Sequence, residues 1–176
     1  MQFFKIILVS VVAAVAYGIV HDQITARICI EYFTVGHLPV FSTESPTLLS
    51  LGWGVIATWW VGLILGVPLA MASRCGNHTK LTARSLRRPI LLLLLIMSLA
   101  ALTAGIVGYV LALAGKIWLT DPLASEIAKS LHARFLADLW AHLASYGSGF
   151  IGGLILIGWV WRKRRKSVQV SFTHDC

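Results

Sequence analysis

A chain of 176 residues, of which 57% are hydrophobic and only 12% charged, holds about half the charge of a soluble domain, where roughly a quarter of residues are charged. A core of this size cannot hide so much apolar surface, which excludes a freely soluble globular protein and makes lipid the solvent for much of the chain. The formal net charge of +8 argues for membrane topology over nucleic-acid binding, because the basic residues gather at 74–88 and 162–166, each run abutting a long apolar segment.

Four stretches, 3–20, 48–73, 90–113 and 145–161, are apolar and approach or exceed the roughly 20 residues that a bilayer crossing requires. They predict an all-α, integral membrane four-helix bundle forming a single membrane domain over 1–176. The first span also resembles a secretory signal, with Lys5, an apolar stretch and the small-residue pattern AVA at 14–16; an uncleaved anchor is the expectation. The next segment, HDQITARICIEYFTVGH at 21–37, brings two of the six histidines and two of the seven acids into seventeen positions. It reads as a helix extending from the first span, with His21, Ile24, Ile28, Glu31 and Val35 on one stripe and Gly36 and Pro39 ending it.

The second span holds Trp53, Trp59 and Trp60 together with the close-packing pair Gly62 and Gly66; Gly149 and Gly153 repeat that spacing in the fourth. A basic loop at 74–89 follows the second span, and its NHT at 77–79 matches a glycosylation acceptor. After the third span, Asp121 before Pro122 reads as an N-cap with proline at the first helical position. Leu123, Ile127, Leu131, Phe135, Leu139 and Leu143 then recur about every four residues. This predicts an amphipathic helix on the membrane surface that runs into the fourth span near Ser145. The polar tail, 162–176, gives His174, Asp175 and Cys176 no role.

With Lys5 and both basic runs inside, the positive-inside rule makes the N-terminus, the 74–89 loop and the tail cytoplasmic, as in a bacterial inner-membrane protein. The loops 21–47 and 114–144 then face outward and pack together as an interfacial cap. Six of the seven acids (Asp22, Glu31, Glu44, Asp121, Glu126, Asp138) and four of the six histidines (His21, His37, His132, His142) fall on that side. The NHT acceptor falls inside, where it is not used.

The span interiors carry no ionisable residue, which speaks against a lone charge-translocating transporter. No GxSxG, HExxH, Walker or GxGxxG pattern is present, and three unpatterned cysteines give no disulfide framework or Cys-rich zinc site. The chemistry therefore rests on the outer histidines and acids. Asp138 and His142 stand four apart on one helical face, so their heads can meet, either to ligate one metal ion or to orient the imidazole for proton transfer. His21 with Asp22, or His37, are the candidates to complete the set. Glu31 and His132 lie about 15 Å along their helices from His21 and His142, and so act as supporting groups or a second site.

Mixed His and carboxylate ligation suits Zn, Fe or Mn, for water activation or oxygen chemistry. Ser145 beside His142 and Asp138 supplies the residue types of a hydrolytic triad, though nothing else marks it as a nucleophile. Three competing readings stand beside the metal site. The outer groups can simply pair with Arg27, Lys129 and Arg134; the cap can dock a membrane protein partner, making the chain a non-catalytic subunit or assembly factor; or the chain can be a transporter component that borrows its pathway from partners, the glycine pairs serving helix packing within the bundle first and a homo-oligomer second. The basic runs are candidate contacts for anionic lipid.

Overall fold

The computed structural model describes residues 1–172, with side chains through residue 165, so His174, Asp175 and Cys176 lie outside the described residues. In chain order the elements are α1 (Gln2–Ile28), α2 (Glu31–Thr34), α3 (Pro46–Ile56), α4 (Trp59–Arg74), α5 (Ala83–Leu113), α6 (Leu123–Glu126), a 3-10 turn at Lys129–Leu131, and α7 (His132–Phe172). Among the described residues there is no strand. The expected all-helical class holds, and four helical units (α1, α3 with α4, α5, and the turn running into α7) are long and apolar enough to cross a membrane.

The helix ends differ from those expected, each for a local reason. The first helix stops at Ile28, not at Gly36 or Pro39: Cys29 is extended, with φ −150° and ψ 101°. A continuing helix would carry Tyr32 and Phe33 off the end of the bundle, whereas the break folds both rings back into the core. The second span breaks at 57–58, where the Thr58 hydroxyl donates to the Gly54 carbonyl, a back-bonding habit that bends helices. The third begins inside the basic loop, at a capping box in which the Thr82 hydroxyl accepts from the Ser85 amide.

The segment 122–144 is not one surface helix. Pro122 flanks α6 from the N-cap position, where Asp121 was expected, and no side chain caps it. Ile127 turns extended and drops into the core. From His132 onward the helix is continuous through the expected start of the fourth span at 145.

α1 packs on α3 and α4, and α5 packs on α7. Glycine allows the first of these contacts. A Cβ on Gly62 would lie 2.7 Å from the Val11 Cα, and one on Gly54 2.6 Å from the Ile19 Cα, so the helix backbones touch there. The Gly62/Gly66 pair thus serves packing within the chain, while Gly149 and Gly153 make room for Met97 and Leu65.

The buried apolar residues form two clusters, one at each end of the bundle. One joins Cys29, Phe33, Leu49, Leu119, Ile127 and Phe135; the other joins Ile6, Leu69, Ala72, Leu86, Ile90 and Val160. The second pole also buries Arg164. Its guanidinium donates to the carbonyls of Ala72, Cys75, His78 and Thr79, which include the orphan acceptors at the end of α4. Arg164 is therefore withdrawn from the basic run in which the sequence placed it as a lipid or solvent contact.

Candidate metal centre

At the first pole, the last two turns of α1 meet the first turns of α7. His21 and Asp22 come from α1 and His142 from α7, and one ligand atom of each lies within 4.8 Å of the others. All three stand within helices, not in loops, and Asp22 and His142 are buried.

The His142 ring is oriented from both sides. Its Nδ1 lies 2.8 Å from the Asp138 backbone carbonyl; a carbonyl only accepts, so Nδ1 carries the proton. In the neutral ring, Nε2 is then left with a lone pair, and it faces Asp22 Oδ1 at 3.3 Å. A metal-binding histidine commonly donates its other N–H to a backbone carbonyl in this way. Tyr32 stacks on the ring at 4.4 Å between centroids and an interplanar angle of 26°.

His21 approaches His142 edge-on, with ring centroids 4.5 Å apart. Its Nε2 is buried and has no hydrogen-bond partner. Tyr17, one turn earlier on α1, stacks on the other side of His21. Ser50 from α3 donates to the backbone carbonyl of Asp22 at 2.8 Å and ties this part of α1 down.

The 3.3 Å between Asp22 and His142 has a coordination meaning. Bonds of about 2.0–2.1 Å at tetrahedral angles place neighbouring donor atoms roughly 3.3 Å apart. The same spacing suits an ion pair between a carboxylate and a protonated imidazole. What the pair alone does not accommodate is His21, whose buried nitrogen lacks any partner. Two imidazoles and one carboxylate form the donor set of many catalytic zinc and non-haem iron sites, which keep at least one position open.

Asp138 does not meet His142 head to head, as the spacing of four had suggested, because the imidazole takes the backbone carbonyl at that distance. Its own carboxylate is fully buried, and neither oxygen has a hydrogen bond of normal geometry. The nearby Cys29 amide, already donated to the Thr25 carbonyl at 3.0 Å, acts on it weakly, and the Asp22 carboxylate lies close enough to repel it. Among the described residues no Lys or Arg bonds either carboxylate. Two buried carboxyl groups that repel each other create a demand for a cation or a proton.

The remaining expected groups lie apart from the three. His37 donates from Nδ1 to the Tyr32 carbonyl at 2.7 Å and packs on Trp53. His132 donates to the Ile127 carbonyl at 2.9 Å, and Glu31 accepts from the Cys29 thiol at 3.3 Å. Burial and the Glu31 carboxylate push that thiol up to about 12, so Cys29 stays protonated at neutral pH. Burial likewise raises the Tyr32 phenol above its ordinary value. Ser145 donates to the Tyr17 hydroxyl at 2.9 Å rather than to His142, which removes the geometry of a hydrolytic triad. Tyr17 and Tyr32, which hold the two imidazoles, were not singled out in the sequence, although Tyr17 stands one helical turn from His21.

Comparison with protein-family models, with curated proteins and with solved structures finds no match to this chain, so the reading of this centre rests on its own geometry.

Proposed function

We propose that this integral membrane protein binds one divalent transition-metal ion through His21, Asp22 and His142, and that the ion is catalytic. The observation that carries the reading is proximity without satisfaction: ligand atoms of a carboxylate and two imidazoles lie within 4.8 Å of one another, and the His21 Nε2 and the buried Asp138 carboxylate lack hydrogen-bond partners. Three protein donors leave a coordination position for water or substrate. Zn, Fe and Mn all suit the donors; zinc or manganese would activate a bound water for hydrolysis, and iron would support oxygen chemistry. Asp138 stands by to exchange a proton with whatever occupies the open position.

The same reading places the metal pole on the extracytoplasmic side of a bacterial inner membrane, with both termini and the basic pole cytoplasmic and in contact with anionic lipid. It is supported by the Lys and Arg asymmetry between the two poles. Cys75 offers a direct check, since it is exposed at the basic pole. In a Cys176→Ser background, a membrane-impermeant maleimide should label it in inverted vesicles and not in intact cells; the reverse pattern rejects this orientation.

Metal analysis tests the site. Protein purified without chelator from metal-replete cells should hold near-stoichiometric metal, which Asp22→Asn and His142→Gln, both shape-preserving, should each release. A metal-free wild type, or variants that retain the full complement, rejects the proposal.

A further inference from the structure

A cavity of about 330 Å³ opens sideways from the bundle between α1 and α5, with α7 as its floor. Val20 and Ile24 of α1 and Leu102 and Ile106 of α5 form the walls and are strongly exposed, Val20 at 63% and Leu102 at 62%. Small residues line its inner side, Gly105 of α5 and Ala137 and Ala141 of α7; a Cβ on Gly105 would come into ordinary contact, at 3.4 Å, with the Ala137 carbonyl and the Ala141 methyl. His21 and Asp138 also border this space, together with the Tyr17 and Ser98 hydroxyls. An apolar trough thus ends on the metal centre, and two of its polar groups, the His21 nitrogen and the Asp138 carboxylate, are buried without partners.

We propose that this groove seats one hydrocarbon chain of a bilayer glycerolipid, entering laterally, with the neutral ester group of the lipid at His21 and Asp138. The inference deepens the metal-site reading by naming its substrate class, and it rests on that reading for the ester's fate but not for the chain's seat. Three features fix the occupant. The open side faces where lipid lies in a membrane-spanning bundle, so a hydrocarbon chain reaches it without crossing water. The lining offers His21, Asp138 and the Tyr17 and Ser98 hydroxyls and no lysine or arginine, so it has hydrogen-bonding groups for an uncharged ester and no side-chain cation for a phosphate.

Depth agrees as well. α1 is 27 residues long, about 40 Å, against a hydrocarbon thickness of about 30 Å. His21 lies two helical turns below the end of α1 at Ile28, close to the edge of the hydrocarbon, where the esters of a bilayer lipid sit.

The test uses the full chain in nanodiscs of phosphatidylethanolamine and phosphatidylglycerol doped with a phosphatidylethanolamine whose acyl chain bears a diazirine near the ester. Photolysis and peptide mapping should place adducts on the 20–28 and 102–106 segments, saturating as the probe fraction rises. Val20→Trp/Leu102→Trp, which fills the groove from exposed positions, should cut those adducts at least tenfold. Ile155→Trp, at a position equally exposed to lipid (65%) but outside the groove, should leave them unchanged. Adducts that never saturate and are equal in all three proteins mean annular lipid only and overturn the proposal.

Metal measured on the same preparations separates the two ideas. Saturable, tryptophan-sensitive labelling of metal-free protein upholds the groove and sinks the metal centre. Full metal content with unsaturable labelling does the opposite.

Discussion

Arg164 at one pole and Asp138 at the other are both withdrawn from solvent, at 1% and 0% exposure, yet their surroundings differ in kind. The guanidinium is clasped by four backbone carbonyls at the end of α4 and the loop that follows. The carboxylate meets no donor of normal geometry, and its neighbour Asp22 adds repulsion. A buried ion with every partner in place ties elements together: Arg164 fixes α7 to the α4–α5 connection. A buried carboxyl group kept without partners costs stability, and such a cost persists where the site does something else. By that criterion the arginine pole is structural, and the histidine pole is where the proposed function lies.

Substitution should break this contrast in opposite directions. Arg164→Ala bares the carbonyls of Ala72, Cys75, His78 and Thr79, and should destabilise the protein by several kcal/mol, since each buried acceptor left without a donor costs about 1–3 kcal/mol. Thermal unfolding in mild detergent reads this out, and an unchanged Tm would show that the clasp does not hold the pole together. Metal is the next largest effect. Raising the free ion to about 100 times its Kd should stabilise wild-type protein by about 2.7 kcal/mol and His142→Gln not at all; equal responses would place the ion elsewhere. Asp138→Asn then carries the reversed sign. Removing an ionisable group that has no partner should raise stability by about 1–2 kcal/mol while lowering turnover of any substrate the centre accepts. A fall in Tm comparable to that of Arg164→Ala would erase the distinction between the poles.

The four spans were legible in the sequence because an apolar run of about 20 residues matches the thickness of a bilayer and outruns most buried helices of soluble domains. Every expected span lies inside an observed helical unit. Their ends were misplaced. The helical continuations beyond residue 20 and before residue 145 were expected, and α1 and α7 do carry His21, Asp22, Asp138 and His142 inside the helix, but α1 stops at Ile28 and α7 begins only at His132. Those groups answer one another across 120 positions of sequence, through His142 and Asp22, and no local window contains both. Within a helix the spacing of Asp138 and His142 was readable, but not which acceptor the imidazole would choose. His37 was the alternative to the His21 and Asp22 pair as partner to His142; past the break at Cys29 it packs on Trp53 instead. The candidate set was thus half visible, as residue types, and narrows to His21, Asp22 and His142 only when α7 is laid on α1.

The smallest predicted effect bears on the last rival for the chemistry at this pole. Ser145, His142 and Asp138 carry the residue types of a hydrolytic triad, yet the serine hydroxyl donates to Tyr17 at 2.9 Å, and the imidazole spends Nδ1 on a backbone carbonyl and turns Nε2 to Asp22. If Ser145 only steadies Tyr17, which stacks on His21, then Ser145→Ala removes one hydrogen bond, about 1 kcal/mol, and leaves metal content and turnover close to wild type. If it were a nucleophile, the same change would abolish turnover as well. Measuring Tm, bound metal and turnover on this one variant therefore decides whether the pole acts through an ion or through an oxygen of its own, because only the second mechanism loses turnover with the metal retained.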